Sequence, residues 1–165
     1  MSVKHSLLAL LYENPGHGYE LKTGFERLVQ GMWPLNAGQV YSTLDRLERD
    51  KLVESPGYDE KDRKLYVITE LGKRELWDWL KQPVARSLLK DEFYFKYLCA
   101  DLVDYEEKQN MIQKQKETMI KDILALTQLK KQMNESQQYS MKMLIEGALL
   151  HLEADIKWLD MILQD

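Results

Sequence analysis

A chain of 165 residues with 44% apolar and 30% charged side chains has the composition of a globular fold, and 8 Gly with 4 Pro exclude collagen-like or low-complexity organisation. The net charge of −4 is shared between the halves: residues 1–81 carry 12 basic and 13 acidic side chains, residues 82–165 carry 11 and 14. Neither half has the basic excess that usually announces nucleic acid, so any DNA contact has to come from a local patch.

The opening run MSVKHSLLALLYE has too short an apolar stretch and too acidic a flank for a secretory signal. Its Val3, Leu7, Leu10 and Leu11 recur at helical spacing, which predicts a helix over Val3–Glu13 that Asn14-Pro15-Gly16 ends. A second helix is expected from about Gly18 to Gln30 with Leu21, Phe25 and Leu28 inward, followed by a compact turn at Gly31-Met32-Trp33-Pro34. Asn36 with Gln39 three residues on reads as a capping box, opening a third helix that runs to about Asp50. The period then changes. Leu52-Val53-Glu54-Ser55 is extended, Pro56-Gly57-Tyr58 has turn chemistry, and Lys64-Leu65-Tyr66-Val67-Ile68-Thr69 is β-branched and aromatic, hence a strand. Together they make a two-stranded hairpin with the charged Asp59–Arg63 at a long tip. Thr69-Glu70 caps a fourth helix carrying Leu71, Leu76 and Leu80, which Pro83 ends.

Beyond about Ser87 the chain holds no Pro and a single Gly, Gly147. Met119, Ile123, Leu126, Leu129 and Met133 form one apolar seam; Met141, Ile145, Ala148, Leu152, Ile156, Leu159 and Leu163 form another. One helix of roughly 30 residues and ~45 Å is expected, with Asn134-Glu135-Ser136 as the hairpin between two such helices. Seams this narrow and long call for a second chain. The reading is mainly α: a winged helix-turn-helix DNA-binding domain over 1–81, then an all-helical dimerisation and effector domain over 82–165.

Helix–helix–helix–hairpin is the order of a winged helix-turn-helix, whose third helix enters the major groove while the hairpin reaches phosphates. At 100° per residue, Val40, Leu44 and Leu47 share the inward stripe of that helix. Gln39, Thr43, Arg46 and Asp50 line the opposite side, with Ser42 beside them. Gln can read adenine and Arg guanine, although any solvated helix face carries such residues. At the hairpin tip Lys61, Arg63 and Lys64 offer phosphate contacts, diluted by Asp59, Glu60 and Asp62.

The runs Gly18-Tyr19-Glu20-Leu21, Gly38-Gln39-Val40-Tyr41-Ser42-Thr43-Leu44-Asp45-Arg46-Leu47-Glu48, Lys51-Leu52-Val53-Glu54 and Arg63-Lys64-Leu65-Tyr66-Val67-Ile68-Thr69 with Leu71-Gly72 resemble the PadR family of transcriptional regulators. Lys90-Asp91-Glu92-Phe93 and Trp158-Leu159 look like the helical C-terminal domain of its longer, virulence-activator-like members. The resemblance implies a homodimer clasped by its C-terminal helices on a pseudo-palindromic double-stranded operator. It also implies phosphate contacts from Tyr19 and Tyr41, a groove face of Gln39, Ser42 and Thr43, and Lys64 as the wing cation. Many members carry a Gly-Arg-Pro-type basic wing; the acid-rich tip here argues against minor-groove insertion and for weak, salt-sensitive binding.

His5, His17 and His151 are far apart and Cys99 is the lone cysteine, so neither a zinc site nor an internal disulfide is expected, which fits a reducing cytosol. His17 reads as a turn residue before the second helix, and Cys99 as a buried inert thiol. No nucleophile–base–orienter set and no Gly-rich phosphate loop is present, so an enzyme is not expected. No membrane span is expected either. Four Trp suit either core packing or an aromatic effector, for which Trp33, Phe93, His151 and Trp158 are candidates. Eight Met, most of them in the second half, suit a repackable interface. Expected, then, is a cytoplasmic dimeric repressor without cofactor or metal, relieved by a small molecule. The alternative is a winged-helix interaction module or scaffold that does not bind DNA.

Overall fold

The computed structural model describes residues 2–85, 91–103, 106–133 and 139–164. They fall into two compact units, residues 1–85 and residues 86–165. No described helix is long and apolar enough to cross a membrane.

The first unit runs α1 (Val3–Glu13), β1 (Gly16–His17), α2 (Gly18–Leu28), α3 (Ala37–Arg49), β2 (Val53–Tyr58), β3 (Lys64–Ile68) and α4 (Glu70–Lys81). Its sheet is three-stranded and antiparallel in the order β1-β3-β2, with Gly16 opposite Tyr66 and Val53 opposite Ile68. A contiguous core joins Leu7, Leu8 and Leu11 of α1, Leu21 and Phe25 of α2, Val40, Leu44 and Leu47 of α3, and Tyr66 and Ile68 of β3. The inward stripe of α3 is the one its period predicts. Elsewhere the structure corrects the sequence. Leu28 is exposed and Val29, just past the helix end, is buried instead, because the chain turns at that point. Leu8 is fully buried while Leu10 is only half-buried.

On α4, Leu71 and Leu80 are exposed; Gly72 and Leu76 face inward. The helix lies so close to the hairpin base that a Cβ at Gly72 would sit 2.1 Å from the Leu52 carbonyl oxygen. The Thr69 hydroxyl caps α4 by accepting from Gly72 N–H and donates to the carbonyls of Lys51 and Leu52. At the other end of α4, Trp79 stacks on His5 of α1 at 4.5 Å, and Glu75 accepts from Lys4 and faces His5 Nε2 at 3.3 Å.

Pro56-Gly57 does not make the hairpin turn. Both lie within β2 at a bulge between Glu54 and Gly57, where Gly57 adopts φ +133°, a backbone conformation that glycine tolerates. The turn is closed by Asp59, whose Oδ1 accepts the backbone N–H groups of Lys61 and Arg63 at 2.9 Å each. The hairpin is also not two-stranded, since β1 adds to its β3 edge.

The second unit holds α5 (Glu92–Leu102), α6 (Lys108–Gln132) and α7 (Tyr139–Gln164). At 25 and 26 residues the two long helices span about 38 Å each, shorter than the single helix expected. Asn134-Glu135-Ser136 lies outside the described residues. Lys116 pairs with Asp160 and Lys130 with Glu146, which sets α6 and α7 antiparallel. Ile112, Met133, Ile145 and Leu159 are buried. The two seams therefore close partly on each other within one chain, and Ile145 and Leu159, expected at an interchain interface, are core residues of this unit. The other expected interface positions are half-buried: Met119, Ile123, Leu126, Met141, Ala148, Leu152 and Ile156. Asp91 caps α5 by accepting from the N–H groups of Phe93 and Tyr94. Cys99 on α5 is half-buried rather than buried.

Candidate nucleic-acid interface

The site is built on α3. Its cap, Asn36, accepts from Gly38 N–H at 2.8 Å rather than forming the expected reciprocal pair with Gln39. With Val40, Leu44 and Leu47 held in the core, Gln39, Ser42 and Arg46 project into solvent and Thr43 is half-buried at the edge. The Ser42 and Thr43 hydroxyls donate to the Gln39 carbonyl at 3.2 and 2.7 Å, so each presents oxygen lone pairs outward. Arg46 makes no ion pair among the described residues, whereas Arg49 is tied to Asp50 at 3.0 Å.

Tyr41 brackets this face on the side of α2. Its ring packs over Gly18, where a Cβ would come within 2.4 Å of Cε1, so the first turn of α2 and the start of α3 meet through a glycine. Tyr19, next to that glycine, is 68% exposed and Tyr41 is 47% exposed. Two phenol groups thus flank the α3 face.

His17 is no turn residue. It pairs with Leu65 in the sheet, precedes α2 directly and is buried. Nδ1 donates to the Lys64 carbonyl at 3.1 Å, since a carbonyl can only accept. Nε2 stands 3.4 Å from Asp59 Oδ2 and 3.9 Å from Glu20 Oε2. His17 is thereby a clasp between the start of α2 and the wing, formed by β2, β3 and the turn between them. The sequence hid it because two residues of Gly-His carry no strand signal.

Two of the wing cations are held by acids. Arg63 Nη2 lies 2.6 Å from Asp59 Oδ2 and Nη1 3.3 Å from Glu20 Oε1. The Arg63 side chain, with its own N–H next, lowers the Asp59 carboxyl to about 2. Lys64 Nζ lies 2.6 Å from Glu48 Oε2, a bond that raises the ammonium's pKa against the opposing effect of burial. Lys61 makes no ion pair among the described residues. The structure thus brings the eight sequence-chosen residues into one unit, but it neutralises two of the cations among them.

Two of the effector candidates meet within the second unit. Phe93 meets Trp158 edge-on at 6.1 Å, and the cluster is completed by Tyr94 and Tyr97, at 4.8 and 6.1 Å from Trp158. Trp33 belongs to the first unit and is half-exposed, and His151 is exposed on α7. Beside Phe93 a cleft of about 250 Å³ is lined by Lys96, Glu107, Met111, Lys114, Gln115 and Thr118. Among the described residues no three His, Cys, Asp or Glu side chains gather as a metal ion would require.

The sequence pattern of the transcriptional regulator PadR-like family matches residues 7–78, from within α1 to most of the way along α4. The winged unit is a PadR-family domain. A probable transcriptional regulator of Mycobacterium tuberculosis is 31% identical over 88 residues, 52% of this chain and 47% of that protein. The negative transcriptional regulator PadR of Bacillus subtilis is 26% identical over 118 residues, 68% of this chain and 64% of that protein. The chain thus aligns with about half to two-thirds of the length of these relatives. The solved likenesses extend over both units. B. subtilis PadR in complex with p-coumaric acid has a TM-score of 0.76 at 25% identity, covering 98% of this chain and 96% of that one. The same protein in complex with operator DNA has 0.74 at 23%, with the same coverages. The Vibrio cholerae virulence activator AphA has 0.73 at 24%, covering 99% and 96%. A PadR-like winged helix followed by a helical C-terminal unit is therefore the fold.

Proposed function

We propose that the chain is a sequence-specific DNA-binding transcriptional regulator, acting in the cytoplasm as a dimeric repressor relieved by a small-molecule effector, with an aromatic compound as the candidate class. The observation that carries this reading is the solvent-facing Gln39–Ser42–Arg46 side of α3, bracketed by exposed Tyr19 and Tyr41 on a PadR-family winged unit. The B. subtilis relative, solved with operator DNA and with p-coumaric acid, supports both halves of it.

In this mechanism α3 lies in the major groove. Arg46 reads guanine and Gln39 adenine, while Ser42 and Thr43 accept from base donors. Tyr19, Tyr41, Arg63 and Lys64 meet phosphates and set register without reading sequence. A second copy, joined through Met119, Ile123, Leu126, Met141, Ala148, Leu152 and Ile156, places two α3 helices on half-sites about 34–36 Å apart. An effector that prefers a dimer with a different spacing shifts the population away from DNA. Phe93 and Trp158, already in edge contact, offer it aromatic surfaces, and Trp33 and His151 are the other candidates.

Selection of duplexes from a random pool, followed by mobility shift, tests the assignment. Arg46→Ala should weaken the selected site by about 1–3 kcal/mol and relax preference at one guanine. Unchanged affinity and preference would remove Arg46 from the groove. The neutralised wing favours one second reading, a winged-helix protein-interaction module, which predicts a folded dimer that shifts no DNA even at low salt.

A further inference from the structure

Two acids outside the wing, on the two helices that flank it, reach into it and take its cations. Glu20 comes from the first turn of α2 and Glu48 from the last turn of α3. Their situations differ. Glu20 also accepts the His17 backbone N–H at 3.1 Å, and Asp59, the other partner of Arg63, closes the hairpin tip. Among the described residues the Glu48 carboxylate bonds to Lys64 alone. The wing base does not depend on that bond, because the β2–β3 ladder and the Thr69 hydroxyl fix it separately. Both members are about one-third exposed, so the pair is a surface ion pair that an incoming phosphate can displace.

We propose that Glu48 is a built-in competitor of DNA phosphate for Lys64, an intramolecular brake on affinity; this rests on the DNA-binding reading above. When Lys64 moves to a phosphate, Glu48 is left unpaired beside the polyanion. It repels the backbone and retains a cation that would otherwise be released, so binding is both weaker and less salt-dependent than the wing's basic residues imply.

The experiment compares wild type, Glu48→Gln, and Glu60→Gln by anisotropy with a mixed-sequence duplex at about 50 and about 200 mM salt. Glu60→Gln removes the same charge from the wing tip but frees no cation, since Glu60 makes no ion pair among the described residues. Lys64→Ala and the Glu48→Gln/Lys64→Ala pair complete a cycle. Glu48→Gln should bind more tightly than wild type. Its advantage should grow about threefold from the higher to the lower salt, the change expected of one further phosphate contact. In the Lys64→Ala background the gain should shrink to what removal of one negative charge gives, no more than that of Glu60→Gln. An equal gain in Glu60→Gln, or an undiminished gain without Lys64, would reduce the effect to net charge and overturn the brake. Weaker binding by Glu48→Gln would make the pair a positioning contact and overturn it too. Wild-type affinity in Glu48→Gln, with DNA bound by both, overturns the brake and leaves the DNA reading standing; a folded protein that binds no duplex in either form overturns both.

Discussion

The two units differ in where their apolar side chains go. In the winged unit sixteen buried side chains, drawn from four helices, the sheet and the connecting turns, form one cluster. In the helical unit six of the described apolar side chains are buried, and large ones such as Phe95, Leu98, Leu124, Leu144 and Leu150 stand in solvent. Two antiparallel helices with one short companion enclose little volume and can bury only the seam that they share. The winged unit is a closed object with a core of its own; the helical unit leaves apolar flanks in solvent. That is where a partner copy belongs in the proposed dimer, on the flanks of the seam and not in it.

Substitution on α7 breaks this contrast most severely. Ile145→Asp buries an unpaired charge at a position 2% exposed and should cost about 4 kcal/mol or more. Helix content should fall while the winged unit keeps its own thermal transition. Leu152→Asp, on the half-buried flank, should leave the helices folded and instead lower the mass found by sedimentation. If Ile145→Asp yields a folded monomer, the seam is interchain after all.

Next in size is Gly72→Ala. The added methyl would meet the Leu52 carbonyl and Ile68 Cγ1, at 2.1 and 2.8 Å, and overpacking of this kind costs about 2–3 kcal/mol. Only the winged unit's midpoint in denaturant should drop. The smallest effect is one of pH. Asp59 has an ordinary carboxyl value of 3.8 when unfolded and about 2 when folded. Its contribution to the wing is therefore complete above about pH 4 and disappears as pH falls through about 2. A carbon NMR titration of the Asp59 carboxyl should give a midpoint near 2 in the intact protein, and in Arg63→Ala a midpoint moved up toward 3.8.

What the sequence discloses follows from what periodicity can and cannot carry. The stripe Val40–Leu44–Leu47 and its polar opposite face are visible because a 3.6-residue period fixes both at once. The seams of α6 and α7 are visible for the same reason, yet a period says only that a face is covered and not by which chain. Hence periodicity alone puts Ile145 and Leu159 at the wrong boundary. Strand β1 escapes because two residues have no period, and His17 with it. The wing tip misleads differently: Pro56-Gly57 is the stronger turn signal in isolation, but Asp59 accepts two backbone N–H bonds across the tip and wins. The pairing of Lys64 with Glu48 joins residues sixteen apart, on a helix and a strand, which composition could show only as acid near base.

The Pro56-Gly57 bulge has one more result. With the strand order β1-β3-β2, β2 is an edge of the sheet, and an edge is where a neighbouring molecule can add a strand of its own. A proline without an N–H, next to a kinked glycine, deprives that margin of a continuous row of donors. The outer edge of the hairpin is therefore a poor template for strand addition and aggregation.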